Sequence, residues 1–275
     1  MTRGQIAPAA LMAAVLFVAE PATAGSAETT LRSVQIDGTR FHVTLSDGSV
    51  LWSEQLIGAV LTARIGDQSL TFRIDGIITD PRDPSGEILL HHLSTPDPVT
   101  GEWHNPCNAG PDGLAMAIPF AGGVMHDGRH VPPDKEFRMA CTSDAEGKCL
   151  RFGYKPWVRL PDGTSLQNMH QACVRAIIAD YCGDGTGTTR DNTLVDIADS
   201  LGIQPSNPTP EMEFEAAWTA DGAVCVHHVR IPENTSLEAL KETCPHLRDI
   251  PLGETCTRPR AAALGALMFI ESVQK

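Results

Sequence analysis

Eight cysteines constrain this chain more than any other feature: Cys107, Cys141, Cys149, Cys173, Cys182, Cys225, Cys244 and Cys256. An even set of thiols, all downstream of an export-type leader, reads as a disulfide framework, with each bridge contributing about 2–4 kcal/mol. The eight allow on the order of a hundred complete pairings, so spacing leaves the connectivity open, although Cys141 and Cys149 are placed to bridge a hairpin. There is no C-x-x-C and no other short paired cysteine spacing, so no metal site and no cofactor are implied.

Residues 1–24 have the organisation of a secretory signal. Arg3 supplies the basic start, Ala9 to Val18 the apolar centre, and Ala22-Thr23-Ala24 a small-x-small cleavage site. The apolar run is shorter than the ~20 residues a spanning helix needs and is broken by Glu20 and Pro21, so no stable membrane insertion is expected after cleavage. The leader carries one Arg and one Glu, so its removal leaves the net charge at −13. Nucleic acid and anionic membranes need basic surface, and so much negative charge argues against both as partners. An envelope or extracellular ligand of unknown identity remains.

Hydrophobic periodicity divides the remainder. Residues 29–133 read as β-rich: Phe41, Val43 and Leu45 alternate with polar residues, Asp47-Gly48 turns the chain, and Leu70, Phe72 and Ile74 follow a Gly66-Asp67 turn. Short strands are expected at Ile88 to Leu90 and Ile118 to Phe120, with Cys107 tying a loop-rich stretch to something better ordered. A boundary falls near Pro132-Pro133, and 136–256 form a cysteine-rich region. Within it the pattern predicts strands flanking Ser143 to Gly147, a helix over 164–182, a short helix after Thr193 reaching Leu201, strands at Phe214 to Trp218 and Val224 to Ile231, and a helix opened by Thr235 with Glu238 and closed by Pro245. Residues 257–275 read as a docked C-terminal helix over Ala261 to Val273.

The 164–182 helix is the centre of this reading. Thr164 and Gln167 have capping-box spacing, and at about 100° per residue Leu166, Met169, Cys173, Ala176 and Ile177 form one apolar stripe that ends before Gly183. His170 and Asp180 fall at the margins of the stripe, while Gln171 and Arg175 face water or a partner. Cys173 and Cys182 come out roughly 13 Å apart along such a helix, too far to pair with each other.

The segments Gly153-Tyr154-Lys155-Pro156-Trp157, His170-Gln171-Ala172-Cys173-Val174-Arg175, Ala179-Asp180-Tyr181-Cys182-Gly183-Asp184-Gly185 and Thr189-Arg190-Asp191 together resemble the signature of the ADYC domain family of exported bacterial proteins, over roughly Phe137 to Gln204. The resemblance implies export and a cysteine-bearing domain. It implies no activity and no catalytic residue.

His170 is the candidate general base, although Asp180 lies about 15 Å along the helix and cannot orient it directly. Tyr154 and Trp157 beside Lys155 make a possible stacking platform, and Arg175, Asp180 and Asp184 possible ligand contacts. Asp180, Asp184 and Asp191 depart from calcium-loop spacing, and His126 and His130 are separated by Gly128 rather than set on a helix. No G-x-S-x-G, Walker lysine loop or dinucleotide glycine pattern is present. The sequence therefore predicts an α+β fold, a β-rich N-terminal region followed by a disulfide-stabilised domain around an amphipathic helix. It also predicts a non-catalytic binding protein, the alternative being a hydrolase of unfamiliar type using His170.

Overall fold

A computed structural model describes residues 11–12, 29–65, 68–124, 130–131 and 137–273. Of the expected leader only Leu11–Met12 is described, a two-residue strand paired with Ile65 and Arg64. The Gly66-Asp67 turn, His126 and the Pro132-Pro133 boundary lie outside the described residues. The fold is α+β, and the chain divides into two compact units, one of residues 1–122 and 131–151 and the other of 123–130 and 152–275.

In the first unit, β1 (Leu31–Asp37), β2 (Arg40–Leu45) and β3 (Val50–Trp52) form an antiparallel three-stranded sheet. A larger antiparallel sheet runs β4 (Val60–Ile65), β5 (Gln68–Thr79), β6 (Leu89–Pro96), β8 (Ala117–Ala121), β9 (Phe137–Cys141), with β7 (Trp103–His104) on β6. The alternation expected for β2 is present. Phe41 and Val43 point inward, and Phe41 meets Phe72, Phe137 and His91, so the core forms where the two sheets face each other. Cys107 does anchor the loop region: it is bonded to Cys141, with Cα atoms 5.4 Å apart.

That bond corrects the expected Cys141 to Cys149 hairpin bridge. Cys141 ends β9, and the chain then enters a helix, α1 (Ala145–Arg151), rather than a second strand. Gly147 allows this, because any side chain there would run into the Cys141 carbonyl. Residues 137–151, placed by sequence with the cysteine-rich half, belong to the first unit, since β9 pairs with β8 along its whole length.

The second unit holds α2 (Gln167–Ile178), α3 (Leu237–Thr243), α4 (Arg258–Ala263) and a four-stranded antiparallel sheet. Its strands are β10 (Val195–Asp199), β11 (Met212–Thr219), β12 (Gly222–Val226) and β13 (Met268–Val273), in the spatial order β10, β13, β11, β12. The β11–β12 hairpin and α3 lie where the sequence placed them, although β12 ends at Val226 rather than Ile231 and Ser236 rather than Thr235 caps α3. Two expected helices are instead strands. Residues 195–199 pair with 268–272, and the C-terminal helix stops at Ala263 because Gly265 takes a left-handed conformation with φ 80°. Beyond it the β-prone run Phe269 to Val273 is hydrogen-bonded on both edges, to β10 and to β11.

Helix α2 packs on β11 and β13. It is shorter than expected at both ends: Thr164 turns on the Asp162 carboxylate, Ser165 Oγ accepts the Gln167 N–H, and Ala179 closes the helix at φ 53°. Every residue from Met169 to Ala176 is buried. The expected outward orientation of Gln171 and Arg175 is thereby corrected: both are buried, and the partners of Arg175 account for its direction.

Candidate functional site

A helix C-terminus leaves four carbonyls without intrahelical donors, and those of α2 must be satisfied inside the protein. The Asp180 N–H donates to Arg175 O at 2.9 Å, the turn that Ala179 permits by entering the left-handed region. Arg230 supplies the next two, its Nη2 reaching Ala176 O and its Nη1 reaching Ile177 O, both at 2.8 Å. The N–H groups of Thr188 and Thr189 complete the set on Ile178 O. A buried guanidinium at this end also lies where the helix dipole favours positive charge.

The residues that follow are held as firmly. Asp180 has no exposed surface, and its carboxylate accepts the N–H groups of Gly183, Asp184 and Gly185 at 2.8, 3.2 and 2.9 Å. Arg175, 3% exposed, turns back to the same carboxylate through Nη1 and donates its Nε to Ala220 O at 2.6 Å. This pairing overrides the wheel that placed Arg175 towards water. Tyr181 stacks on Trp218, with ring centroids 5.6 Å apart, and its hydroxyl donates to Glu215 Oε1 at 2.9 Å while accepting the Arg230 N–H. Glu215 in turn receives Arg230 Nε and Nη2 at 2.9 and 3.0 Å. It enters the interior of an apolar strand because β11 is bulged there, its partners shifting register between Phe214 and Ala216. Burial and then the Glu215 charge hold the Tyr181 phenol well above its ordinary pKa.

Cys182 is bonded to Cys244, with Cα atoms 5.1 Å apart, and Cys225 to Cys256 at 5.4 Å; no described cysteine is free. Gly183 is required twice over: its φ is 74°, and a side chain would fall on the Asp221 carbonyl of the β11–β12 turn. Three of the four carbonyls of the tetrapeptide are engaged as well. Ala179 O accepts the Thr188 hydroxyl, Asp180 O the Trp218 indole N–H, and Tyr181 O the Ala223 N–H.

The residues Ala179-Asp180-Tyr181-Cys182 thus form a densely hydrogen-bonded, cross-linked turn, and comparison with known families places it. The ADYC domain model matches residues 53–232, well over half of the sequence. The chain belongs to the ADYC domain family. The match reaches well beyond the 137–204 region that carries the motifs and includes strands of both units. No curated protein and no solved structure matches this ADYC chain.

Of the expected site residues, Arg175 and Asp180 are brought together as a buried ion pair, and Asp184 joins them only through its backbone N–H. The Asp184 side chain is exposed and accepts the Thr186 N–H. Tyr154 is engaged elsewhere. It is buried and donates to Asp199 Oδ2 at 2.9 Å, and burial followed by the Asp199 charge raises its pKa. Trp157 is half-buried, and His170 is 1% exposed on α2. Among the described residues, no three His, Cys, Asp or Glu side chains converge as metal ligands, and no helix is long and apolar enough to cross a membrane.

Sequence reasoning missed Glu215, Arg230 and His228. The signal available was a charged residue among apolar ones: Glu215 precedes Ala-Ala-Trp in β11, and Arg230, just past β12, lies between Val229 and Ile231. His228 shares this buried polar region, its Nε2 3.1 Å from Ser272 Oγ and its Nδ1 without a partner. Burial is the main cause of its lowered pKa.

Proposed function

We propose that this ADYC protein is an exported, disulfide-bonded binding protein that performs no chemistry of its own, working in the cell envelope or outside the cell. The observation that carries this reading is the way the family tetrapeptide spends its polar groups. Asp180 neutralises Arg175, Glu215 neutralises Arg230, and both carboxylates are removed from solvent. A general acid or base must reach a substrate proton, whereas these groups hold a turn together. Eight disulfide-bonded cysteines support a location in an oxidising compartment. We read the second unit as a cross-linked scaffold organised around α2, with recognition carried by surfaces that the scaffold keeps rigid.

The test is to purify the secreted, oxidised protein, pass envelope and medium fractions over it, and measure the affinity of any retained component in purified form. The binding reading expects saturable, stoichiometric binding of the unaltered component. Conversion of that component into product, with turnover abolished in His170→Gln while the thermal midpoint is unchanged, would make the protein a hydrolase instead.

A further inference from the structure

The larger sheet of the first unit carries side chains that the turn described above does not use. Strand alternation sends Phe72, Ile74, His91 and Leu93 into the core, leaving Arg73, Asp75, His92 and Ser94 on the opposite face. A bulge in β5 between Ile74 and Gly76 falls on Asp75 and sets its carboxylate among the other three. Arg73 Nε and Ser94 Oγ both donate to Asp75, and His92 Nδ1 stands 3.6 Å from its Oδ2. The Arg73 guanidinium lies 4.7 Å from the ring centre of Trp103 on β7. On the neighbouring strand β4, Val60 pairs with Arg73, and Thr62 bonds Thr71 at 3.1 Å.

Two properties of this face point to a ligand. First, Trp103 is 39% exposed and the Arg73 guanidinium packs over its ring, so part of an aromatic surface is offered with less ordering left to occur on binding. Second, the hydrogen-bonding groups carry little net charge because Arg73 and Asp75 compensate each other. Among the described residues, neither the Nη nitrogens of Arg73 nor Nε2 of His92 has a hydrogen-bond partner. A polyanion would meet a chain of net charge −13. A pyranose has the complementary chemistry: one flat C–H face and a rim of uncharged hydroxyls that donate and accept.

We propose that the face formed by Arg73, Asp75, His92 and Trp103 binds a neutral saccharide, with the sugar ring against the part of the Trp103 indole that Arg73 leaves open and its hydroxyls on Arg73 Nη and His92 Nε2. This names a ligand class for the binding reading above and rests on it. The experiment titrates the purified oxidised protein with cello-, chito- and malto-oligosaccharides, and with an oligogalacturonate for contrast, by calorimetry and tryptophan fluorescence. One neutral series binds saturably, Trp103→Ala weakens it about tenfold or more, Arg73→Met weakens it as well, and Trp103→Phe stays within a factor of about three of wild type. Thermal midpoints of the variants separate lost contacts from lost folding, and Arg73→Met, with binding as tight as wild type counting against the site, serves if the alanine variant does not fold. Binding of a neutral saccharide unchanged by Trp103→Ala overturns the site but leaves a binding protein. Preference for the oligogalacturonate with steep salt dependence, or no binding of any neutral series, overturns the ligand class. Catalytic turnover in the separate fraction experiment would instead overturn the underlying reading.

Discussion

Asp180→Asn keeps the shape of the side chain and removes its charge. Arg175 would then be buried without a counter-charge, which costs about 3–5 kcal/mol and is read as a lowered urea midpoint under non-reducing conditions. Replacing both partners, Arg175→Met with Asp180→Asn, removes the stranded cation, so the double variant is expected to be more stable than Asp180→Asn alone. Histidines add a pH dependence. His91 is fully buried, 3.0 Å from Ser53 Oγ, and burial lowers its pKa to about 4; His228 is shifted in the same direction. Between about pH 4 and the ordinary histidine value near 6.5 the unfolded chain binds more protons than the native one, so stability rises with pH through that window. The His91 contribution is fully present above about pH 6.5 and is lost as pH falls towards 4. It is worth about 3 kcal/mol and is checked by urea midpoints across that range, with His91→Gln flattening the curve.

At the scale of elements, Gly265 distinguishes the observed end of the chain from the expected one. Its φ is 80°, with open space where a side chain would stand, so Gly265→Ala destabilises by about 1 kcal/mol through backbone strain alone. In a continuous helix over 261–273 the same change would have stabilised by a similar amount, so the sign of the change in thermal midpoint decides. Phe41 and Val43, the β11–β12 hairpin and α3 were legible because their signals are local: alternation, an Asp-Gly turn and a cap. The strand identities of 195–199 and 268–273 were not, because each is hydrogen-bonded to a partner about seventy residues away. The candidate site divided in the same way. Arg175 and Asp180 were identifiable as residues, but their pairing depends on Ala179 turning left-handed, and the place of Glu215 depends on a bulge visible only in the register.

For the molecule as a whole, the covalent links constrain the unfolded chain most. Cys182 and Cys244 are separated by 62 positions, and closing a loop of that size stabilises the native state by about 4 kcal/mol if the entropy of the unfolded chain dominates. The Cys182→Ser/Cys244→Ser variant therefore unfolds at lower urea concentration and with a steeper dependence on denaturant, as its unfolded state exposes more surface. The family match over 53–232 spans strands and helices of both units, so the likeness to the family extends over folded elements well beyond the tetrapeptide. Gly183 has a further consequence. Its missing side chain is the space into which the Asp221 carbonyl fits, so a variant that fills it must either push the neighbouring hairpin outward or release the aspartate that the glycine N–H helps to hold. Four letters give the family its label, but the fifth, a hydrogen in place of a methyl, sets how tightly the word can close.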